Sequence, residues 1–136
     1  MRPIAIDTNA YTSFKRGDAD IRDVLRHAPS LLLPVTVLGE LLAGFAAGSR
    51  EQLNRAELTQ FIGSPRVKVL TAGSATADLY ALVYATLRRK GQPIPANDLW
   101  IAASCLEQGA ALLSLDAHFQ NIEGLRVGRC LNDFIP

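Results

Sequence analysis

The sequence predicts an α/β protein with a mainly parallel sheet and helices on both faces. Short apolar runs alternate with longer segments of helical periodicity, and such runs are typical of parallel strands buried on both sides. Hydrophobic residues make up 49% of the 136 residues, which is enough for a core and too many for a disordered chain. A chain of this length is most simply one domain, over residues 1–136.

The predicted strands are the short apolar runs. In chain order they are Ile4–Ile6, Leu31–Leu33, Val67–Leu70, Ala111–Leu115 and a short last strand near Leu125–Arg129. Asp7-Thr8-Asn9 closes the first run. Pro34 ends the second, because proline has no N–H for the strand ladder.

The segments between these runs have helical patterns. The predicted helices are 10–16, 19–27, a helix after Pro34, 51–62, 74–90 and 97–108. Gly17 separates the first two, while Gly63, Gly91 and Gly109 end the last three. In the helix after Pro34, four apolar residues fall on one face at helical spacing: Leu38, Leu41, Leu42 and Phe45.

The charge balance excludes a general attraction to nucleic acid or membrane. Fourteen basic and thirteen acidic residues give a net charge of +1, so any such binding must come from local patches. The two cysteines, Cys105 and Cys130, form no CxxC pair. Their spacing argues against a structural zinc site or a disulfide framework and suits a reducing cytoplasm.

Neither a targeting segment nor a membrane span is expected. Asp7 interrupts the first apolar run too early for a signal peptide. The apolar stretch 28–49 is divided by Pro34 and carries Glu40 near its centre, where a carboxylate is costly at membrane depth.

Glu40 is the only charged residue in VTVLGELLAGFAAG, residues 35–48. Burying a lone carboxylate costs several kcal/mol unless a positive or hydrogen-bonding group meets it. Two alternatives follow. Either Glu40 points to solvent on the far side of the helix, or it has a partner.

Three other acids lie near positions where parallel sheets bind ligands, outside the carboxyl ends of the strands. Asp7 and Asp116 directly follow predicted strands, and Asp98 lies in the first turn of a helix. Glu40 lies about one turn below the same edge. Each acid alone could be a turn, cap or surface residue. If the four converge at about 5 Å, each pair repels by roughly 3 kcal/mol at an effective dielectric of 20.

A divalent cation is the expected counter-charge for such a cluster. No lysine or arginine lies within five residues of Glu40 or Asp116. Oxygen ligands without a cysteine or histidine cluster suit Mg²⁺ or Mn²⁺ rather than zinc. A hard cation that keeps its waters is the usual requirement for hydrolysing a phosphodiester. Glu40 is therefore expected to be buried, with a metal as its partner.

Four segments carry a resemblance to a known family: IDTNAY at 6–11, VLGELLAG at 37–44, NDLWIAASCLEQG at 97–109 and LLSLDAHF at 112–119. In this order and spacing, over essentially the whole chain, the sequence resembles the PIN-domain proteins, specifically toxins of the VapC type. The resemblance implies one PIN domain with a parallel sheet of about five strands. It also implies a Mg²⁺-dependent endoribonuclease, a homodimer, and a cognate antitoxin that covers the acidic pocket.

The resemblance also implies the roles of individual residues. Its metal-binding and catalytic acids map onto Asp7, Glu40, Asp98 and Asp116, and its supporting residues onto Thr8, Asn9 and Ser114. The three aspartates are expected to hold the cation, directly or through water, and Glu40 to bind it or orient the attacking water. The side chains of Thr8 and Asn9 are expected to orient Asp7 or a water on the metal.

The last motif departs from the family in two places. Ser114 and His118 stand where the family often has a threonine and a final acid. Ser114 can still donate a hydrogen bond to a carboxylate. His118 cannot supply a fifth anionic ligand, which argues against a tightly held second metal, and is interpreted as a residue at the surface or behind the ligands.

Basic residues at two helix ends are the predicted RNA contacts: Lys15, Arg16, Arg88, Arg89 and Lys90. The same residues would complement helix dipoles, so both interpretations stay open. A degenerate PIN-fold binding module without catalysis is the main rival function, and the intact set of four acids disfavours it. A haloacid-dehalogenase-like phosphatase needs a second aspartate where this chain has Asn9.

Overall fold

A computed structural model describes residues 1–135, and residue 136 of the predicted domain lies outside the described residues. Its centre is a five-stranded sheet in the order β3-β2-β1-β4-β5. The strands are β1 (Ile4–Ile6), β2 (Leu31–Pro34), β3 (Val67–Leu70), β4 (Ala111–Leu113) and β5 (Val127–Gly128). All neighbouring strands are parallel, and β1, β2 and β4 are buried along their whole length. The predicted fold class is confirmed.

The helices lie in two layers. They are α1 (Thr8–Lys15), α2 (Ala19–His27), α3 (Val35–Ala47), α4 (Glu51–Ile62), α5 (Ser74–Arg89) and α6 (Ala96–Gln108), with short 3₁₀ turns at Ala117–Asn121 and Leu131–Asp133. From β1 the chain moves to β2 and β3 at one edge, then crosses to β4 and β5 at the other. Because parallel crossovers are right-handed, this change of direction places α1 to α4 on one face of the sheet and α5 and α6 on the other.

The edge of the sheet near β4 differs from the prediction. β4 ends at Leu113 rather than Leu115. Ser114 N still donates to Gly128 O (3.1 Å), but the N–H groups of the next two residues bond to side chains. Leu115 N donates to Asn9 Oδ1 (3.0 Å) and Asp116 N to Ser114 Oγ (3.0 Å). Residues 114–116 therefore form a loop held by side chains.

The ends of other elements differ as well. β2 includes Pro34, which the sequence predicted to end it, and α6 begins at Ala96. β5 is shorter than the predicted strand over 125–129, because Arg129 N and Cys130 N donate to Asp133 Oδ2 at 2.9 and 3.2 Å instead of continuing the ladder. The first helix begins at Thr8 rather than residue 10, directly after β1.

The core lies between the sheet and both helical layers. The central part of helix α6 is buried, and its Ile101 and Cys105 are fully inaccessible. Burial raises the pKa of the Cys105 thiol to about 12, so this cysteine is a core residue rather than a nucleophile. On α3, Leu41 is buried, while Leu38, Leu42 and Phe45 pack against the core, as the helical spacing predicted. Within residues 1–135 no helix combines the length and apolarity needed to cross a bilayer.

Gly128 allows β5 to pack closely against the 3₁₀ turn at Leu131–Asp133. A Cβ at this position would overlap Asp133 Cβ and lie 2.9 Å from Phe134 Cζ. We therefore expect Gly128→Ala to lower the free energy of unfolding by about 1–3 kcal/mol, through overpacking. Urea unfolding followed by circular dichroism measures the change.

Gly44→Ala is the matched control. No described heavy atom lies within 4 Å of a Cβ built on Gly44 in α3. Alanine at this position should raise the free energy of unfolding by about 0.5–1 kcal/mol, because it has a higher helix propensity than glycine. Equal urea midpoints for the two variants would contradict the close packing of β5.

Candidate metal centre

The predicted acids lie where the strand order changes direction. β1 and β4 are paired neighbours, yet the chain leaves them toward opposite edges of the sheet. Such a switch point opens a crevice beyond the carboxyl ends of the strands. Asp7 follows β1, Asp116 follows the short loop after β4, and both line one cleft of about 570 Å³ with Glu40 and Asp98. The structure therefore brings all four acids together.

Asp7 is a buried carboxylate held by two hydrogen bonds. Its Oδ1 accepts from Thr8 N (2.8 Å) and its Oδ2 from Ser114 Oγ (2.6 Å). Burial raises the pKa of Asp7, the two hydrogen bonds oppose that rise, and the carboxylates of Asp98 and Glu40 add to it. Asp7 is thus fixed in position while its charge is disfavoured.

Glu40 extends from α3 into the cleft. It is half-buried, and its Oε1 accepts from Thr8 Oγ1 (2.8 Å) while its Oε2 accepts from Asn97 Nδ2 (2.7 Å). The alternative of a solvent-facing residue on the far side of the helix is therefore wrong. The expectation of a buried Glu40 also needs correction, because its partners in the protein are hydrogen-bond donors at the mouth of the cleft.

Asp98, Asp116 and His118 form the tightest group of the site. His118 Nδ1 lies 3.1 Å from Asp98 Oδ2 and 3.2 Å from Asp116 Oδ1. One ligand atom from each of the three residues lies within 4.8 Å of the others. Asp98 is 7% exposed, and this burial raises its pKa; the hydrogen bond with His118 opposes the rise, while Asp116 and Glu40 increase it.

Residues at the carboxyl end of β4 connect these acids. Ser114 Oγ donates to Asp7 and accepts from Asp116 N, so one hydroxyl links two of the acids. Asn9 Oδ1 accepts from Leu115 N and fixes the same loop rather than contacting Asp7. Thr8 contacts both Asp7 and Glu40. The predicted supporting residues therefore lie at the site, with Asn9 acting on the loop.

The predicted basic residues are divided between two places. Arg16 lines the acidic cleft, and Lys15 pairs with Glu57 on α4 (2.6 Å) in the adjoining groove. Arg88, Arg89 and Lys90 are absent from the lining of the cleft. Arg88 donates to Tyr84 Oη (2.9 Å), and Lys90 pairs with Glu123 (3.0 Å). In the part of the chain that the structure describes, no lysine or arginine forms an ion pair with any of the four acids.

Sequence reasoning missed two contacts of the site. The sequence pattern predicts Asn97 only as the start of a helix, yet its side chain donates to Glu40 across the gap between α6 and α3. His118 was placed at the surface or behind the ligands; its side chain is 52% exposed, but its Nδ1 lies between two of the acids. His118 follows Asp116 by two residues in a turn, and this spacing was the signal in the sequence that could have placed its ring beside the acids.

Comparisons with known proteins agree with this geometry. Residues 4–125 match the family model described as PIN domain. Ribonuclease VapC4 of Mycobacterium tuberculosis is 29% identical over 93 residues, which cover 68% of this chain and 72% of that protein.

Solved structures of VapBC are similar along almost the whole chain. DNA-bound VapBC from Salmonella typhimurium has a TM-score of 0.82 at 25% identity, covering 94% of this chain and 98% of that one. VapBC-1 from nontypeable Haemophilus influenzae has a TM-score of 0.78 at 25% identity, covering 93% and 96%. The resemblance to VapC-type proteins is confirmed, and the chain belongs to the PIN-domain family.

Proposed function

We propose that this protein is a VapC-type endoribonuclease that cleaves RNA phosphodiester bonds with a divalent cation, Mg²⁺ or Mn²⁺. Asp7, Glu40, Asp98 and Asp116 would hold this cation, directly or through water. The observation that carries the proposal is the convergence of the four carboxylates on one cleft. The name of the similar mycobacterial ribonuclease supports the same class of activity.

The donor set of the cleft fits a divalent cation. Burial raises the pKa values of Asp7 and Asp98, and neighbouring carboxylates add to the rise. None of the described lysines or arginines is paired with the four acids. Binding of a hard cation relieves this repulsion, and carboxylate oxygens are the ligands such ions prefer. When bound, the cation supplies positive charge at the phosphate and lowers the pKa of a coordinated water.

The residues of the cleft have different roles in the proposed reaction. Asp7, fixed by Thr8 and Ser114, provides a rigid anchor at the end of β1. Glu40 is half-exposed, and its two hydrogen bonds orient it toward the cleft, so it is placed to accept a proton from the attacking water. Arg16, which lines the same cleft, is placed to bind a phosphate of the RNA.

We further infer a cognate antitoxin as partner and a homodimer as the assembled form. The similar Salmonella and Haemophilus structures are both of VapBC, and the sequence resemblance implies the same pairing for this chain. An antitoxin that covers the cleft would have to supply positive charge to the four acids, since the described part of this chain pairs none of its lysines or arginines with them.

Asp98→Asn tests the nuclease activity directly. The amide preserves the shape of the side chain but removes a negative ligand, so we expect RNA cleavage to fall by about 10²–10³-fold. The assay incubates a generic transcript with Mg²⁺ or Mn²⁺ and maps the new ends. Chelator should abolish cleavage by the wild type.

Asp78→Asn is the control for this assay. Asp78 is an exposed acid of α5 outside the cleft, and its substitution should leave cleavage unchanged. Wild-type rates in Asp98→Asn, or cleavage that survives the chelator, would overturn the proposal. If the wild type leaves RNA intact but hydrolyses a phosphomonoester, a phosphatase is favoured. If it leaves RNA intact and takes up no metal, a binding module is favoured.

Asp7→Asn should stabilise the metal-free protein at neutral pH. Burial raises the pKa of Asp7 in the folded state above that of an exposed aspartate, so its ionisation destabilises the fold as pH rises through the interval between these two pKa values. An amide removes the buried charge, and we expect the free energy of unfolding to increase by an amount on the order of 1 kcal/mol at pH values above this interval.

Thermal unfolding in chelator at pH 4 and pH 8 measures this gain, which should raise the melting temperature by about 3 °C at pH 8 and less at pH 4. Asp78→Asn again serves as the control, because its carboxylate is exposed. A gain that does not depend on pH, or a loss of stability at pH 8, would contradict a strained carboxylate at position 7.

Arg16→Ala and Arg88→Ala separate the two basic regions. Only Arg16 lines the cleft, so its loss should weaken RNA binding by about 3–10-fold and reduce the salt dependence by about one phosphate contact. Arg88 bonds to Tyr84 at the end of α5, and its removal should have a smaller effect. Fluorescence anisotropy of labelled RNA, in chelator to prevent cleavage, measures both; equal losses would place RNA on both regions.

A further inference from the structure

We propose that His118 is itself a ligand of the cation, so that this site prefers a first-row transition-metal ion such as Mn²⁺ over Mg²⁺. The inference rests on the proposed function in assuming that the cleft holds a divalent ion. It goes beyond that function by assigning a nitrogen donor to a site that the sequence predicted to have oxygen ligands only.

The position of the imidazole nitrogen carries the proposal. Nδ1 of His118 lies 3.1 Å from Asp98 Oδ2 and 3.2 Å from Asp116 Oδ1. Donor atoms about 2.1 Å from one ion, at angles of 90–110°, lie about 3.0–3.5 Å apart, so these distances suit adjacent ligands. A single N–H can point well at only one of the two oxygens, whereas one cation can satisfy all three atoms.

The local structure fixes the backbone of His118 beside the acids. His118 N donates to Asp116 Oδ1 (2.9 Å), which caps the 3₁₀ turn Ala117–Asn121. The next residue, Phe119, is fully buried and anchors the turn in the core. His27, the other histidine of the chain, is exposed, and its Nδ1 contacts a carbonyl of its own helix, Asp23 O, at 2.8 Å. Only His118 therefore presents a ring nitrogen to the acids.

The chemistry of an imidazole donor decides which ion is preferred. Mg²⁺ takes oxygen ligands and depends on their negative charge, which a neutral imidazole does not supply. Manganese, cobalt and later first-row ions accept imidazole, with affinity rising along the Irving–Williams order. An acid at position 118 would give the site another oxygen and another charge. The histidine supplies neither this oxygen nor this charge, so it lowers the affinity of the site for Mg²⁺.

The experiment compares cation affinities of the metal-free full chain by calorimetric titration with Mn²⁺ and with Mg²⁺. We expect the wild type to bind Mn²⁺ at least about tenfold more tightly than Mg²⁺. His118→Asp should move this ratio at least about tenfold toward Mg²⁺, and His118→Ala should weaken Mn²⁺ by about tenfold or more with a smaller effect on Mg²⁺. His27→Ala is the matched control and should leave the ratio unchanged.

A spectroscopic measurement tests ligation itself. With Co²⁺ in place of Mn²⁺, proton NMR of the wild type should show strongly shifted imidazole ring C–H signals that are absent in His118→Ala and present in His27→Ala. Absence of these signals in the wild type, or an unchanged Mn²⁺/Mg²⁺ ratio in a folded His118→Asp protein, would overturn the inference. Neither measurement depends on RNA cleavage. If the protein binds Mn²⁺ through His118 but does not cleave RNA, the proposed nuclease activity is contradicted and the ligation is not.

Discussion

Repulsion among the carboxylates that share the cleft constrains the rest of the structure. Asp7 and Asp98 are each almost inaccessible, and this burial raises the pKa of both. Neighbouring carboxylates add to the rise: Asp98 and Glu40 at Asp7, and Asp116 and Glu40 at Asp98. Side chains that repel in this way stay together only when their backbones are held by something else. Here that restraint is the buried sheet, because the pairing of β1 with β4 fixes the ends from which Asp7 and Asp116 extend.

Hydrogen bonds then orient Asp7 and Glu40 from elements other than their own. Ser114, after β4, holds Asp7 at the end of β1, and Asn97, at the start of α6, holds Glu40 on α3. Thr8 joins Asp7 to Glu40. These contacts place the carboxylates before any ligand arrives, so less ordering remains to be done when a cation or a phosphate binds. Because Asp7 loses its contact with water in the folded state, holding its carboxylate in this position lowers the stability of the protein.

Much of this arrangement could be predicted from the sequence, because it follows from local patterns. Short apolar runs predicted parallel strands, and the position of Asp7 and Asp116 after two of them predicted a shared edge. The half-burial of Glu40 could not be predicted in the same way. It depends on how α3 packs beside α6, and nothing near Glu40 in the chain reports that Asn97 will meet it. The early end of β4 likewise depends on a distant side chain, that of Asn9.

The two departures in the last motif have different physical consequences. Ser114 supplies the hydroxyl that a threonine would, and its bonds to Asp7 and Asp116 keep the loop in place. The capped turn and buried Phe119 hold the backbone of His118 at the position where the family often has an acid. If His118 binds the cation as proposed, the backbone would preserve the geometry of the site while the side chain at position 118 replaces an oxygen donor with a nitrogen donor. Geometry and donor type would then be set by separate residues, so such a chain could change the cation it prefers without rebuilding its fold.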